Sequence, residues 1–286
     1  MRKQSLHFMM AMAALGMAAM PHASANAQSL WTDRRHDSSI TLETLKPVFK
    51  SDDAGFRPSA RSGWMMLISS RWRLSENLHF ISEIPFATGE REYEFAGFDN
   101  RKREAGTAFG NPYFGLEKRD QESRGFVEFG IRFPLPAADE GWGENSGRSV
   151  GLYANGTHLE AYGPKALSII AMSNSRFGNA SGPFIRLRGG LCFLINTGPG
   201  GFIPVFAPEF GLKHGYESSR FSAALGYSAR LYAPGIWGVL VHELGFKANV
   251  GLGRFWPGVH FRMPLSNPLE EELKYVVGLH LGVQLQ

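Results

Sequence analysis

The chain has 286 residues, with 30 Lys and Arg against 26 Asp and Glu and a formal net charge of +4. Residues 1–27 carry Arg2 and Lys3 and no acidic residue, so the rest of the chain has a net charge of +2, too balanced for a nucleic-acid-binding protein. The single cysteine excludes an internal disulfide, and abundant glycine (34) and phenylalanine (22) favour an all-β architecture.

The first 27 residues have the pattern of a secretory signal peptide. Two basic residues precede a mostly apolar run at 8–20, and Ala25-Asn26-Ala27 fits the small-x-small cleavage rule. We therefore expect residues 1–27 to be removed and residues 28–286 to form one domain. The apolar run is shorter than the roughly 20 residues of a membrane-spanning helix, and no later stretch reaches that length without charges. Any membrane crossing would therefore use strands.

Apolar and polar residues alternate along the remaining chain and predict about twelve strands. The predicted strands lie near residues 40–45, 63–74, 78–86, 112–118, 125–136, 166–174, 184–196, 205–213, 221–232, 238–252, 255–265 and 275–285. In the fifth of them, GFVEFGIRFPLP, Phe129 and Ile131 share one side and Glu128 and Arg132 the other, which is the two-residue period of a strand. Many of these runs reach the roughly 9 to 11 residues that a tilted strand needs to cross a membrane.

Connection lengths alternate along the predicted strands. The connections are long near 46–62, 88–110, 136–165 and 266–273, and short near 75–77, 120–123, 214–218 and 251–253. Outer-membrane barrels have short periplasmic turns and longer external loops, so we expect both ends of the mature chain in the periplasm. Two connections fit poorly, because 233–235 is short for an external loop and 175–182 is long for a periplasmic turn.

Charged residues collect on the polar side of the strands. An Arg or Lys facing the middle of a bilayer costs about 2 to 4 kcal/mol, so the phase of the alternation places these side chains inside a closed barrel. The predicted lumen-lining residues are Arg71, Arg73, Glu83, Glu117, Glu128, Arg132, Arg186, Arg188, Glu209, Lys213, Arg230, Glu243, Lys247, His260, Arg262 and His280. The resulting prediction is a closed, antiparallel, up-and-down transmembrane β-barrel of about twelve strands.

Two features of this register need separate mention. His242 falls on the lipid side, as a local error, a bulge or an interfacial residue. Aromatic residues at strand ends, such as Trp72 and Phe133, are candidates for the interfacial girdles of a barrel. The alternative fold is a soluble β-sandwich, in which the apolar faces of the strands would form a dry core.

Three stretches resemble a known family. GNPYFGLEKR (Gly110 to Arg119), GFVEFGIRFPLP (Gly125 to Pro136) and NGTHLEAYGP (Asn155 to Pro164) are similar to uncharacterised bacterial outer-membrane barrels related to the transporters of phenol meta-pathway gene clusters. The resemblance implies a barrel of about twelve strands that passes small compounds, including aromatic or apolar ones. One departure is the C-terminus, which ends in Leu285-Gln286 where such barrels commonly end in an aromatic residue that the assembly machinery reads.

The function that these patterns favour is a passive pore or channel in the outer membrane of a Gram-negative bacterium. The expected partners are outer-membrane lipids, the barrel assembly machinery and an unidentified small solute, with no nucleic acid and no cofactor. One alternative is an outer-membrane lipid hydrolase of the phospholipase or lipid A deacylase type, with candidates in the stretches His36-Asp37-Ser38-Ser39 and Thr157-His158 with Glu160. Another is a closed structural barrel whose lumen is filled by paired charges.

Two further sites have more than one interpretation. His79, His260 and His280 share the lumen side and are candidates for a metal site or for hydrogen-bonded lumen histidines, although their spacing is no metal signature. Residues 145–164 are too polar and glycine-rich for a spanning strand. They are predicted to form either a constriction or lid in the barrel mouth or a solvated external loop.

Overall fold

The computed structural model describes residues 38–50, 59–94, 101–120, 125–135, 142–163, 165–179, 181–196, 204–232, 239–266 and 272–285. The strands are β1 (Ser39–Phe49), β2 (Ser59–Arg73), β3 (Leu78–Glu94), β4 (Arg101–Phe109), β5 (Tyr113–Arg119), β6 (Gly125–Arg132), β7 (Ala166–Gly178), β8 (Gly182–Asn196), β9 (Pro204–Glu217), β10 (Phe221–Tyr232), β11 (Val239–Val250), β12 (Phe255–Pro264) and β13 (Leu273–Gln284). Helix α1 (Trp142–Ala154) and a 3-10 helix (Leu159–Ala161) lie between β6 and β7. The predicted signal peptide lies outside the described residues.

The strands close into one antiparallel barrel. Neighbouring strands pair in chain order, and β13 pairs with β1, with Gln284 opposite Ser39. The long strand β3 pairs with β5 through residues 78–83 and with β4 through residues 86–94, so β4 and β5 share one position in the barrel. The closed barrel of twelve strand positions is therefore confirmed, and no edge of the closed part is left open.

The two faces of each strand meet different surroundings. Phe129 in β6 is 55% exposed, whereas Glu128 beside it is 1% exposed. The same alternation recurs in the neighbouring strands, with large apolar side chains outside and charged or small side chains inside. The soluble-sandwich alternative is wrong, because it requires the apolar faces to be the buried ones. His242 follows the outward side in an unbroken register, and its Nδ1 lies 3.3 Å from the Tyr227 hydroxyl near the start of β11.

The connections sort into two ends. The chain leaves β1, β3, β6, β8, β10 and β12 at one end, here called the loop end, and both described chain termini lie at the opposite turn end. The predicted loop at 88–110 is wrong, because β3 continues to Glu94 and pairs with β4. The connection predicted at 175–182 is also shorter than expected, since β7 runs to Gly178 and β8 begins at Gly182, both with positive φ.

Among the described residues, no helix is long and apolar enough to cross a membrane. The remaining question is what occupies the inside of the barrel. The segment between β6 and β7, residues 142–163 and hereafter the inner segment, is folded into the lumen. Its residues Val150, Ala154, His158 and Glu160 are buried.

Candidate functional site in the barrel lumen

Helix α1 lies on a glycine platform on the inner face of β2, β3 and β4. Gly63, Gly89 and Gly106 are directly opposite one another across these three strands. A Cβ atom on Gly89 would lie 2.6 Å from Val150 and 2.8 Å from the Ser146 carbonyl carbon. A Cβ atom on Gly147 of the helix would meet strand backbone at Ala108 and Ala87, 2.8 and 2.9 Å away. The helix therefore docks this closely because the strands carry glycines opposite Val150 and the helix carries Gly147 opposite strand backbone.

The GNPY and NGTHLEAYGP stretches come together in the lumen at Asn111. The Asn111 side-chain amide donates hydrogen bonds to the backbone carbonyls of Glu160 (2.9 Å) and Gly163 (2.8 Å). The Asn111 backbone N–H donates to the Ala161 carbonyl at 2.7 Å, and its side-chain oxygen accepts from the Leu135 N–H at 3.0 Å. Asn111 thus joins the interruption between β4 and β5 to the inner segment, and the solvated external loop predicted as one option for 145–164 is wrong.

Arg230 connects the inner segment to the barrel wall electrostatically. Its Nη1 donates to Glu160 Oε2 at 2.6 Å, and its Nη2 lies 3.0 Å from Glu209 Oε2. Arg188 Nε lies 3.2 Å from the other oxygen of Glu209, and His158 Nδ1 lies 3.2 Å from Glu160 Oε1. These five side chains form one continuous buried network, in which Arg230 lies between a wall carboxylate and a carboxylate of the inner segment.

The charge of Glu160 is maintained by these neighbours. Burial alone would raise the pKa of the Glu160 carboxyl, but Arg230 and the hydrogen bond to His158 outweigh burial and hold that pKa well below its usual range. Burial raises the pKa of the Tyr162 phenol well above its usual range, so Tyr162 is neutral. Among the described side chains of the inner segment, Glu160 is therefore the anion that contacts the wall.

Elsewhere in the barrel, ion pairs join lumen-facing side chains of strands that are two positions apart, β2 with β5 and β3 with β6. Arg71 Nη2 lies 2.8 Å from Glu117 Oε1, and Arg132 Nη2 lies 2.8 Å from Glu83 Oε2. Tyr113 donates its hydroxyl hydrogen to Glu128 at 2.5 Å. Such short, buried, charge-assisted contacts narrow the interior and hold its side chains in fixed positions.

The structure buries fourteen of the sixteen predicted lumen-lining residues: Arg71, Glu83, Glu117, Glu128, Arg132, Arg188, Glu209, Lys213, Arg230, Glu243, Lys247, His260, Arg262 and His280. Arg186 is half-buried, and its guanidinium carbon lies 5.5 Å from the centre of the Phe184 ring. Arg73 is exposed because it is the last residue of β2, where the wall ends at the turn end.

A cluster of apolar side chains lines part of the lumen and reaches toward the loop end. It includes Ile170, Cys192, Val205, Tyr232 and Val241, as well as Ile81, Tyr113, Met172 and Ala207. Val205 is the second residue of β9 and Tyr232 is the last residue of β10, and both strand ends lie at the loop end. Tyr153 and Leu159 of the inner segment pack against the cluster, and the Leu159 N–H donates to the Tyr232 hydroxyl at 3.2 Å. The inner segment therefore occupies a chamber lined by this cluster, here called the apolar chamber, and charged wall residues adjoin it, because Ile81 is opposite Arg71 and Tyr113 is opposite Glu83 in the strand ladders.

The lumen histidines lie in two places. His260 and His280 are neighbours, with ring centroids 6.1 Å apart, and His260 Nε2 lies 3.3 Å from Glu43 Oε1. His79 is buried on β3. Within the described part of the chain, no three His, Cys, Asp or Glu side chains are grouped closely enough to hold a metal ion.

Sequence reasoning identified the wall charges but not their partners from the inner segment. Asn111 and Gly147 carried no periodic signal, and Glu160 entered only beside His158 as a candidate for hydrolysis. The resemblance signal did include these regions, since GNPY contains Asn111 and NGTHLEAYGP contains Glu160.

Comparison with solved structures identifies the class of fold. An outer membrane channel from Pseudomonas putida F1 matches with a TM-score of 0.56 and 9% identity, over 90% of this chain and 99% of that chain. The translocator domain of the autotransporter NalP from Neisseria meningitidis matches with a TM-score of 0.42 and 10% identity, over 99% and 98% of the two chains. A Pseudomonas aeruginosa FadL homologue matches with a TM-score of 0.42 and 9% identity, over 87% of this chain and 76% of that chain.

No protein-family model matches the sequence, and no curated protein matches it. The chain has the fold of the outer-membrane β-barrels of Gram-negative bacteria, as expected from its strand pattern. The narrower resemblance to transporters of phenol meta-pathway clusters stays a prediction.

Proposed function

We propose that the protein is an outer-membrane channel for the passive passage of small solutes, including aromatic or apolar compounds, and that the inner segment closes it in this structure. The observation that carries the proposal is that one connection, and not the barrel wall, fills the apolar chamber. An α-helix with its side chains is about 10 to 12 Å wide, so a lumen that holds α1 becomes a passage of that scale when the segment leaves it.

The contacts of the inner segment are suited to reversible release. Its polar anchors among the described residues include Asn111, Arg230, Tyr232, Arg262, whose Nη2 donates to the Ala154 carbonyl, and Glu272, which accepts from the Tyr153 hydroxyl. Each such hydrogen bond contributes about 0.5 to 1.5 kcal/mol net, or about 1.5 to 3 when a charge is involved. Release of the segment would break these hydrogen bonds and its apolar packing, and it would leave the strand ladders of the wall intact.

The membrane setting follows from the faces of the barrel. The exposed apolar side chains, with Phe129 and Leu116 as examples, would contact outer-membrane lipids, and insertion would depend on the barrel assembly machinery. We place the turn end and both termini in the periplasm and the longer connections outside the cell. A solute would then enter at the loop end, pass the apolar chamber and leave through the charged part of the lumen.

Planar-bilayer conductance of the wild-type protein and of Gly147→Leu tests the channel. Leucine at 147 would meet backbone atoms of β3 and β4 that cannot give way, so the helix is expected to leave its platform and the conductance to rise. The matched control is Gly189→Leu, because an added Cβ at Gly189 meets only the Ser173 hydroxyl, 3.7 Å away. Uptake of neutral aromatic solutes into liposomes that contain the same proteins tests which solutes pass through the channel.

A closed structural barrel is the second candidate, and the buried ion pairs Arg71 with Glu117 and Arg132 with Glu83 favour it. It predicts no current and no solute flux in wild type or in folded Gly147→Leu, and that result would reject the channel. The lipid-hydrolase alternative gains no support from the inner segment, because His158 and Glu160 are buried in the lumen and do not face lipid.

A further inference from the structure

The carboxylate of Glu160 equalises the formal charges of the buried side chains. Among the described residues, seven cationic side chains are buried: Arg71, Arg132, Arg188, Lys213, Arg230, Lys247 and Arg262. The barrel wall contributes six buried carboxylates: Glu43, Glu83, Glu117, Glu128, Glu209 and Glu243. Glu160 supplies the seventh, so departure of the inner segment leaves the buried wall with one formal positive charge in excess.

That excess is localised at Arg230. Arg230 is the wall cation that contacts Glu160, at 2.6 Å, and its second ion pair is with Glu209, which Arg188 also neutralises. When Glu160 leaves, one carboxylate is shared between two guanidinium groups. A second anion at the Glu160 position is then favoured, because an uncompensated buried charge is costly.

The surroundings of Arg230 determine which kind of anion fits. The next inward residue on β10 is Tyr232, which belongs to the apolar cluster with Cys192 and Val241. Leu159, next to Glu160, packs against this cluster. The inner segment thus places a carboxylate on Arg230 and an apolar body beside it, and a ligand that replaces it needs the same two parts.

We propose that Arg230 and the adjoining apolar cluster form a binding site for small apolar carboxylic acids, and that Glu160 occupies this site in the closed barrel. This inference rests on the proposed channel and names the class of solute that the chamber selects. The ligand carboxylate takes the guanidinium edge that Glu160 now uses, and its aromatic or aliphatic body takes the position of Leu159. No bond is made or broken in the exchange.

Binding of 4-fluorobenzoate to the folded full-length barrel, followed by fluorine NMR against empty micelles, tests the site. Glu160→Gln removes the competing charge but keeps the shape, and is expected to tighten 4-fluorobenzoate binding by at least about tenfold. Arg230→Gln is expected to abolish it. The neutral probe 4-fluorobenzyl alcohol is expected to bind with the same affinity to all three proteins.

Glu117→Gln is the matched control, since Glu117 is a buried wall carboxylate that pairs with Arg71 and Arg119. Where Glu160→Gln does not fold, as judged by heat modifiability on a gel, Gly147→Leu replaces it, because it displaces the segment and leaves Glu160 and Arg230 unchanged. The proposal is overturned if wild type and Glu160→Gln, or Gly147→Leu in its place, bind 4-fluorobenzoate with equal affinity. It is also overturned if Arg230→Gln leaves the affinity unchanged.

Conductance separates this inference from the channel itself. If Gly147→Leu conducts but Arg230→Gln leaves 4-fluorobenzoate binding unchanged, the channel is supported and the carboxylate site is rejected. If 4-fluorobenzoate binding requires Arg230 but no current or solute flux is found, the binding site is supported and the transport function is rejected.

Discussion

Asn111 in the barrel wall donates a hydrogen bond of 2.9 Å to the backbone carbonyl of Glu160 in the inner segment. The same amide also donates to Gly163, so one uncharged wall side chain supports the end of the segment that carries the lumen anion. This arrangement separates two properties of the closed state. Arg230 determines the charge at Glu160, whereas Asn111 determines where the backbone around Glu160 lies.

Asn111→Ala is expected to loosen the inner segment without unfolding the barrel. Loss of its two amide hydrogen bonds weakens docking by about 1 to 3 kcal/mol, since each contributes about 0.5 to 1.5 kcal/mol. Hydrogen exchange of the amides in 155–163 should speed up by about tenfold or more, while β10 keeps its protection. Asn174→Ala is the control, because Asn174 is an equally buried wall asparagine on β7. Equal exchange in both variants would show that Asn111 does not anchor the segment.

Breaking the buried pair between Arg132 and Glu83 is expected to destabilise the barrel strongly. Glu83→Ala leaves the Arg132 guanidinium buried with its partner removed, at a cost of about 3 to 5 kcal/mol, whereas replacing both residues with leucine costs less. Urea unfolding in lipid vesicles measures the difference. At the exposed pair of Arg103 with Glu90, Glu90→Ala should change the free energy of unfolding by at most about 1 kcal/mol. Similar losses for Glu83→Ala and Glu90→Ala would contradict the role assigned to burial.

Charge on the outer face should be tolerated according to depth. Phe129 lies in the middle of β6 and Trp72 at the end of β2, and both face outward. Phe129→Arg is expected to cost about 2 to 4 kcal/mol of folding free energy in vesicles, whereas Trp72→Arg costs about 0 to 1 kcal/mol from the charge. Refolding titrations in the same lipid compare the two. Equal costs would mean that Phe129 does not face the middle of a bilayer.

The alternation of residue types predicted most of the wall because each strand meets lipid on one side and the lumen on the other. In β10 this pattern is unbroken from Phe221 to Tyr232, and both predicted ends coincide with the observed ones. Strand β4 was missed because its sequence, RKREAGTAF, is charged at the start and has small residues where α1 covers it. Its strand structure comes from pairing with the extension of β3, and no local pattern reports that pairing.

The inward position of the charged wall residues could be predicted from the same two-residue period. The position of the inner segment and its contacts with the wall could not. Glu128 and Arg132 are four residues apart in β6, and this even separation places both on the inward face of the strand. Glu160 meets Arg230 and Asn111 across separations of 70 and 49 residues, and its partners depend on how a helix docks on glycines of three other strands. A single sequence holds no periodic signal for such contacts.

Cys192 provides a native probe of the closed lumen. It is the single cysteine of the chain, it faces inward on β8 and it is fully buried in the apolar cluster that the inner segment covers. A maleimide reagent added to the folded wild-type barrel should therefore react with it slowly. Gly147→Leu is expected to raise the labelling rate by an order of magnitude or more, roughly in proportion to the open fraction, whereas Gly189→Leu leaves it unchanged. Labelling by mass spectrometry gives the rate, and denatured protein gives the upper limit. Fast labelling of wild type, or equal rates in the two glycine variants, would mean that the inner segment is not what shields the chamber.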